Sequence, residues 1–577
     1  MAQAEQAKDS LQFAIIGSGG AGAITTGTMI LDIAAREGWY GLLGRSAGPQ
    51  IRGGEAAALV RLATDPVGCL KETFDLYIAI DWNNADRFDA EIKMTADSLV
   101  IGDSANGEPP QSILDSGATV LDVPLKEIAE SIPGGRQNMV AVGMALGLIG
   151  LSTETADAVI EGKLAEKGDD AINASKAGLA AGMAKAKEIK FAQSLNPPKA
   201  NGKDRWLISG NEAAGMGAVR GGVRFAAAYP ITPATEVLEW LAPALAKVGG
   251  TLVQAEDELA SINMTIGAAF GGKASLTATS GPGLALMMES MGLAAASEMP
   301  IVVVNVMRGG PSTGIPTKSE QSDLNIAIYG VHGDAPHIVV APLTISDCLF
   351  TTQWAAHLAE QLQGPSIVLS DQFLGQTKSV VDRPADVSFF TKRQVVETAD
   401  ENYRRYSVTA DGVSPMTLPG TPGGQYTADG LSHAPSGTPS SRGEDHIAQL
   451  NKRQRKIEDY NYGDHWAEID GDGPVCVLTW GSLTSAAREA IDRMRADGEN
   501  VKLVAMRLLS PLLPEQINAA LAGVEKLLIV EQTHSGQFHR HLRGTVDLPG
   551  DVQVLNRPGP LPIQPDEIIE KIRNWRS

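Results

Sequence analysis

The chain has 577 residues, a formal net charge of −20 at pH 7 and a hydrophobic fraction of 43%. This length predicts a multidomain protein at about 150 residues per domain, and the charge argues against nucleic acid or an anionic membrane as a partner. The three cysteines are far apart, so we expect no disulfide framework and no four-cysteine iron–sulfur cluster from this chain alone. A polar N-terminal segment and the lack of an apolar run of about 18 residues predict a cytoplasmic protein.

The first predicted domain, residues 11–190, alternates short apolar strands with helical stretches, which is typical of an α/β fold. Its first strand is followed by GSGGAG at residues 17–22, a match to GxGxxG. The glycines of such a motif allow backbone N–H groups to approach a phosphate. An NAD site would require an acidic residue after the second strand, but Arg45 stands there, so NAD binding is disfavoured.

Two interpretations of this motif remain open. It is either a plain tight turn, or part of a loop region that contacts an anion or another protein surface. The second interpretation includes a nearby basic, flexible loop. Its candidate contacts are Gly17, Gly19, Gly20, Arg45 and Arg52.

Residues 191–204 are polar and contain a Pro-Pro pair, which predicts a linker, and residues 205–385 form a second predicted α/β domain. In this domain, four polar segments each follow a short apolar strand. Because ligands bind at the carboxyl ends of parallel strands, which lie at one edge of the sheet, we expect the four segments to converge on one crevice. They are YPITP (229–233), EDE (256–258), TSGPG (279–283) and RGGPSTG (308–314).

Glu258 and Arg308 are the leading candidates in these segments. Glu258 opens a predicted helix that is largely apolar and that we expect to be buried. Its carboxylate therefore either points into a dry site or simply stabilises the N-terminus of the helix. Arg308 ends a buried strand and requires a partner, which is either the carboxylate of a ligand or an internal salt bridge to Glu256 or Asp257.

Residues 386–470 differ from the domains on either side. The stretch 414–444 is dense in Pro, Gly, Ser and Thr, which predicts an extended crossover or a mobile segment. Residues 471–577 form a small predicted α/β domain. It begins with GDG at 471–473, which resembles a metal-binding motif but precedes a strand instead of following one, so we predict a turn and no metal site.

Taken in order, YPITP, QAEDELASINMTIGAAFGG, TATSGPG and MRGGPSTGIPTKSEQSDL resemble the alpha subunit of the 2-oxoacid:ferredoxin oxidoreductases. The GSGGAG domain resembles the gamma domain of that family, fused ahead of alpha, and this arrangement is most similar to the 2-oxoglutarate enzymes. The resemblance implies a multidomain α/β protein. Its parts are a gamma-type domain (11–190), a thiamine-diphosphate pyrimidine-binding domain (205–385) and a transketolase C-terminal-like domain (471–577).

The resemblance also implies roles for individual residues. Glu258 matches the family glutamate that contacts the aminopyrimidine ring nitrogen of thiamine diphosphate. Thr232 and Arg308 match residues that hold the substrate carboxylate, and Lys318 lies on a polar loop expected beside the substrate. The implied cofactor contacts are Tyr229, Pro230, Ile231, Glu258, Ser280, Gly281 and Pro282.

The implied reaction is the oxidative decarboxylation of 2-oxoglutarate, or a related 2-oxoacid, with coenzyme A to acyl-CoA, carbon dioxide and reduced ferredoxin. By the same resemblance, a separate beta subunit supplies the Mg²⁺–diphosphate motif and a [4Fe-4S] cluster, in a heterotetramer of two alpha and two beta subunits. Two alternatives stay open. One is a non-catalytic, nucleotide-binding scaffold subunit, and the other is a thiamine-dependent dehydrogenase that passes its acyl group to lipoamide.

Overall fold

The structure, a computed structural model, describes residues 6–48, 54–199, 202–389 and 393–576, so Arg52 lies outside the described residues. The chain divides into two compact units. The first contains the residues up to Ile208 together with Thr377–Pro384, and the second contains Ser209–Gln376 and the residues from Ala385 onward. In the described parts of the chain, every helix is too short or too polar to cross a bilayer.

The strands are numbered in chain order. They are β1 (Gln6–Lys8), β2 (Ser10–Ser18), β3 (Tyr40–Ala47), β4 (Glu55–Ala63), β5 (Leu76–Ala79), β6 (Leu99–Gly102), β7 (Thr119–Asp122), β8 (Gln193–Leu195), β9 (Arg205–Ser209), β10 (Phe225–Ala228), β11 (Thr251–Gln254), β12 (Ser275–Thr279), β13 (Val302–Met307), β14 (Ile338–Val340), β15 (Ser366–Asp371), β16 (Lys378–Asp382), β17 (Ala467–Asp470), β18 (Val475–Trp480), β19 (Val501–Met506), β20 (Leu508–Ser510), β21 (Lys526–Glu531) and β22 (Asp551–Asn556).

The α-helices are numbered in the same way, and short 3-10 turns are left unnumbered. They are α1 (Ala23–Arg36), α2 (Gln111–Asp115), α3 (Leu125–Glu130), α4 (Gln137–Ile149), α5 (Thr153–Leu164), α6 (Asp169–Ala186), α7 (Gly210–Arg220), α8 (Thr235–Lys247), α9 (Glu258–Phe270), α10 (Gly281–Ser297), α11 (Leu324–Tyr329), α12 (Asp347–Leu362), α13 (Gln372–Gln376), α14 (Gly443–Glu458), α15 (Leu483–Ala496), α16 (Pro514–Ala520), α17 (Gln537–Arg543) and α18 (Pro565–Arg576).

The first unit is built on an eight-stranded sheet of order β7-β6-β5-β2-β4-β3-β16-β9. Strand β2 pairs in parallel with β5 and antiparallel with β4, so the sheet is mixed. Helices α4 and α6 pack closely because glycines face the partner backbone. A Cβ at Gly143 would collide with the carbonyl of Leu179, and one at Gly182 with the carbonyl of Val140.

The second unit contains a seven-stranded sheet of order β11-β10-β12-β13-β15-β14-β20 and a five-stranded sheet of order β17-β19-β18-β21-β22. Strands β11, β10, β12 and β13 are parallel neighbours. Their carboxyl ends therefore lie at one edge, as the sequence predicts for the four polar segments. Strand β20 leaves the smaller sheet after β19 and pairs antiparallel with β14, which joins the two sheets.

The described part of residues 386–466, which connects the two sheets, contains no strand of three or more residues, but several of its side chains are fully buried, including Arg405, Tyr406 and Met416. A buried cluster of ion pairs stabilises this segment. Glu298, which follows α10, pairs with Lys452 at 2.6 Å and with Lys456 at 2.9 Å, and all three side chains are almost completely buried. Both lysines belong to α14.

The charges in this cluster depend on one another. Burial alone would raise the pKa of Glu298, but Lys456, Lys452 and Arg405 hold it well below its usual range. Burial lowers the pKa of Lys452 to about 8, although Glu298 opposes this shift. One carboxylate is therefore the shared counter-ion of two ammonium groups that are almost completely buried.

We expect Glu298→Gln to lower the free energy of unfolding by about 3–5 kcal/mol, because it leaves two buried ammonium groups without a counter-ion. Chemical denaturation of the wild-type and variant chains would measure this difference. Glu444→Gln is the control, because Glu444 pairs with Arg442 where both side chains are more than 70% exposed, and such pairs contribute about 1 kcal/mol or less. Equal losses in the two variants would contradict a stabilising role for the cluster.

Candidate active site

The YPITP segment connects β10 to α8 and lies on the surface of the unit. Tyr229 is 40% exposed, and Thr232 is exposed as well. Pro230 and Ile231 are partly buried between them. Within the described part of the chain, the Thr232 hydroxyl has no hydrogen-bond partner, whereas its backbone carbonyl accepts a bond from Arg308, which follows β13. The hydroxyl is therefore available to a ligand.

Only the last of the three acids after β11 is buried. Glu256 and Asp257 are exposed, while Glu258 is 8% exposed. Asp257 caps α9 by accepting a hydrogen bond from the Ala260 N–H at 2.7 Å. The capping role is thus filled by Asp257, and the Glu258 carboxylate has no hydrogen-bond partner among the residues that the structure describes.

The expectation that α9 is buried is correct for one face only. Ser261, Ile262 and Thr265 are buried, whereas Leu259 is 48% exposed and Met264 is 43% exposed. The exposed apolar residues project from the opposite side of the helix. Glu258 therefore opens a helix that packs on its own sheet and also presents an apolar face to the outside.

The segment after β12 approaches Glu258 closely. A Cβ placed on Gly283 would lie 2.9 Å from Glu258 Oε1, so only glycine fits at this position. Ser280 is completely buried, and its Oγ has no hydrogen-bond partner. Gly281 and Pro282 form the first turn of α10 and are partly buried.

Arg308 follows β13 and reaches across to the YPITP segment. Its Nη1 donates a hydrogen bond to the carbonyl oxygen of Thr232 at 2.8 Å. Its Nε is buried and has no hydrogen-bond partner. Burial lowers the pKa of Arg308, and nearby Asp323 opposes this shift. The predicted alternative of a salt bridge to Glu256 or Asp257 is not found in the described residues.

The structure adds Asn305 and Asp323 to this site. Asn305 Nδ2 donates to Asp323 Oδ2 at 2.9 Å, and both residues are buried. A Cβ on Gly281 would lie 2.6 Å from Asp323 Oδ1, so this carboxyl group lies against the first residue of α10. The only sequence signal for this pair was that Asn305 interrupts an apolar strand.

Lys318 lies on the loop after Arg308. Its carbonyl oxygen accepts a hydrogen bond from the Gly309 N–H at 3.0 Å, and its side chain is partly buried. The role predicted for Lys318 beside the substrate stays a prediction.

The end of the same loop is held by the five-stranded sheet. Gln321 Nε2 donates to the carbonyl of Trp480, at the end of β18, at 2.8 Å. Gln532, which follows β21, donates its backbone N–H to Gln321 Oε1 at 2.8 Å and its Nε2 to the carbonyl of Ser319 at 3.0 Å. The C-terminal domain therefore determines the course of the chain just before Asp323.

In the first unit, the GSGGAG motif lies in the last residues of β2 and the turn before α1. Both the N–H and the Oγ of Ser18 donate to Asp81 Oδ2 at 2.8 Å. Gly20 and Gly22 have positive φ angles of 100° and 89°, which favour glycine. This geometry is that of a tight turn whose donors at Ser18 are already used.

The other predicted contacts of that region are less informative. Arg45 is an exposed residue of β3, and Gly17 and Gly19 lie in β2 and the turn that follows it. Their predicted contact with an anion or a protein surface stays a prediction. GDG, in contrast, lies in the turn between β17 and β18, as the sequence indicates, with Gly471 and Asp472 exposed and Gly473 buried.

Three family models match successive parts of the chain. They are "Pyruvate ferredoxin/flavodoxin oxidoreductase" over residues 12–185, "Pyruvate flavodoxin/ferredoxin oxidoreductase, thiamine diP-bdg" over residues 216–452 and "Pyruvate:ferredoxin oxidoreductase core domain II" over residues 474–568.

Curated relatives and a solved structure agree with these matches. The chain is 34% identical to 2-oxoglutarate synthase subunit KorA of Methanothermobacter thermautotrophicus over 64% of this chain and 98% of that protein. It is 31% identical to the 2-oxoacid:ferredoxin oxidoreductase subunit alpha of Saccharolobus solfataricus over 78% of this chain and 74% of that protein.

The solved structure is the 2-oxoglutarate:ferredoxin oxidoreductase from Magnetococcus marinus with 2-oxoglutarate, coenzyme A and succinyl-CoA bound. The similarity has a TM-score of 0.90 and 35% identity, and covers 98% of this chain and 99% of that one. The multidomain α/β fold predicted from the sequence is thereby confirmed. The chain belongs to the 2-oxoacid:ferredoxin oxidoreductase family, as a subunit of the alpha type.

Proposed function

We propose that this chain, together with a beta subunit, catalyses the oxidative decarboxylation of 2-oxoglutarate with coenzyme A to acyl-CoA, carbon dioxide and reduced ferredoxin. The observation that carries the proposal is the arrangement at the sheet edge. A buried carboxylate without a partner, Glu258, and a cation with free donors, Arg308, follow strands of one parallel sheet. The match to a 2-oxoglutarate enzyme along nearly the whole chain supports the choice of substrate.

The residues at this edge fit the pyrimidine half of thiamine diphosphate. Gly283 leaves Glu258 Oε1 accessible where a larger residue would collide with it, and Ser280 Oγ is a buried polar atom that lacks a partner. When bound, this cofactor supplies the nucleophilic carbon and the electron sink for decarboxylation. We propose that Glu258 holds a proton at its carboxyl group and shares it with the ring nitrogen of the aminopyrimidine.

Arg308 and Thr232 are proposed to bind the substrate carboxylate. The bond from Nη1 to the carbonyl of Thr232 sets the position of the guanidinium group and leaves its other N–H groups free. A guanidinium group binds a carboxylate through two parallel hydrogen bonds. The exposed hydroxyl of Thr232, whose carbonyl accepts the bond from Arg308, belongs to the same proposed carboxylate site. These contacts orient the 2-oxo carbon toward the cofactor.

The rest of the site is proposed to come from a beta subunit. The described residues contain no group of three or more His, Cys, Asp or Glu side chains arranged to hold a metal ion. The chain's three cysteines, Cys69, Cys348 and Cys476, are all buried and form no disulfide bond. We therefore propose that Mg²⁺, the diphosphate and the [4Fe-4S] cluster are bound by the beta subunit, in a cytoplasmic complex of two alpha and two beta subunits that reduces ferredoxin.

Glu258→Gln is expected to lower kcat by about 10²- to 10⁴-fold, because the amide cannot exchange a proton with the cofactor ring. Ferredoxin reduction by the reconstituted complex would measure it, and cofactor binding should persist. Glu256→Gln is the matched control, since Glu256 is an exposed acid two residues away. Normal turnover in Glu258→Gln would contradict the proposed role.

Arg308→Ala is expected to raise the KM for 2-oxoglutarate by about 10- to 100-fold, because hydrogen bonds to a charged group contribute about 1.5–3 kcal/mol. Arg308→Lys keeps the charge but not the paired donors, so an intermediate KM is expected. Steady-state kinetics with saturating coenzyme A would compare them. An unchanged KM in the alanine variant would remove Arg308 from the substrate site.

The division of labour between subunits is tested by purifying this chain with and without its beta subunit. Alone, the chain is expected to contain no iron and to show no 2-oxoglutarate decarboxylation, whereas the complex should show both. Iron analysis, visible absorbance and carbon dioxide release would measure this. Decarboxylation by the isolated chain with thiamine diphosphate and Mg²⁺ would refute the proposal.

A further inference from the structure

Asp323 is a buried acid close in the fold to Arg308, one of the two residues that we propose to bind the substrate carboxylate. It follows the loop that begins at Arg308 and immediately precedes α11. Its Oδ2 accepts one hydrogen bond from Asn305 Nδ2 at 2.9 Å. Its Oδ1 lies against Gly281 and accepts no hydrogen bond from the residues that the structure describes. Although Asp323 stands in the N-cap position of α11, its side chain makes no cap bond. A helix-capping role therefore does not account for this carboxyl group.

The surroundings of Asp323 carry both signs of charge. Ser322, the residue before Asp323, donates a hydrogen bond from its Oγ to the carbonyl oxygen of Arg308 at 3.4 Å. Arg308 is therefore the cation that acts on Asp323, and Glu320, three residues earlier on the same loop, is the anion that acts on it. Asn305 and Gly281 contribute no formal charge. Glu320 is itself held by the Gly559 N–H, which donates to its Oε2 at 3.1 Å. The charge next to Arg308 thus depends on whether Asp323 is ionised.

Burial raises the pKa of Asp323 to about 6, the neighbouring Glu320 adds to this shift, and Asn305 and Arg308 oppose it. Burial also raises the pKa of Glu320, against the effects of the Gly559 N–H and His534. An acid with this pKa changes its charge near neutral pH, where an ordinary aspartate stays ionised.

We propose that Asp323 is a positioning residue of substrate binding, whose buried carboxyl group takes up a proton when a substrate carboxylate binds to Arg308 at the other end of the same loop. The inference rests on the proposed role of Arg308. The ionised Asp323 competes with the incoming carboxylate for the guanidinium charge, and the protonated Asp323 does not. Substrate binding and protonation of Asp323 therefore favour each other.

The sign of the pH dependence follows from this linkage. A bound carboxylate adds a second negative charge near Asp323, which raises its pKa above that of the free enzyme. Substrate affinity is then highest below pH 6, declines as the pH rises through the pKa of the free enzyme, and levels off above the pKa of the complex. A coupling of one pKa unit corresponds to about a tenfold change in affinity.

The test uses glutarate, which carries both carboxylates of 2-oxoglutarate but no 2-oxo group and therefore reports binding without chemistry. Its competitive inhibition constant against 2-oxoglutarate is measured in the complete complex from about pH 5.5 to 8.5. In the wild type, the constant is expected to rise about tenfold over this range. In Asp323→Asn, which is neutral at every pH, it is expected to stay low and nearly flat.

Glu320→Gln provides a second, milder variant. Removing this anion lowers the pKa of Asp323, so the midpoint of the glutarate profile is expected to move to lower pH while its amplitude persists. This variant keeps the proposal testable if Asp323→Asn fails to assemble. Thermal unfolding and thiamine diphosphate content would verify that each complex is intact.

Parallel profiles in the wild type and Asp323→Asn would overturn the inference, as would a Glu320→Gln midpoint that does not move. Arg308→Ala separates this result from a failure of the proposed function. If Arg308→Ala weakens glutarate binding while Asp323→Asn leaves the profile unchanged, only the proton linkage is wrong. If Arg308→Ala leaves glutarate binding intact, the proposed substrate-binding role of Arg308 is wrong, and the inference about Asp323 is wrong as well.

Discussion

Four neighbouring parallel strands end at the same edge of one sheet, and the proposed chemistry depends on this constraint. Strands β11, β10, β12 and β13 deliver Glu258, the YPITP segment, the turn at Ser280 and Arg308, respectively. No single segment contains a complete site. The hydrogen bond from Arg308 to Thr232 and the contact of Gly283 with Glu258 each cross one intervening strand, and they form because the parallel strands end at the same edge of the sheet.

Two buried carboxylates of the second unit show that neighbouring cations decide whether a buried acid is ionised. Glu298 is completely buried, but two lysines pair with it and an arginine lies nearby, so its pKa lies well below the usual range. Asp323 has one nearby arginine, no salt bridge and an acidic neighbour, and its pKa is raised to about 6. The first group is suited to holding the crossover segment in place. The second can exchange a proton, which is what a binding-linked group requires.

The C-terminal domain contributes to the site although it supplies no proposed catalytic residue. Trp480 at the end of β18 and Gln532 just after β21 form hydrogen bonds with Gln321 and Ser319 in the loop that leads from Arg308 to Asp323. These hydrogen bonds hold the end of the loop that immediately precedes the buried Asp323. The small domain thus supports the loop between Arg308 and Asp323, a contact that its own sequence does not indicate.

The sequence alone determined the α/β class, the order of strands and polar segments, the turn at GDG, and Glu258 and Arg308 as the leading candidates, because strand periodicity and the turn residues are local signals. Burial and pairing were decided by the tertiary structure. Only the fold shows that Glu256 is exposed while Glu258 is buried, that Arg308 donates a hydrogen bond to Thr232, and that Lys452 lies in the core. Asp323 carried no signal in the sequence, because its significance comes from Asn305, Gly281 and Arg308, residues that the chain brings together only when the sheet has formed.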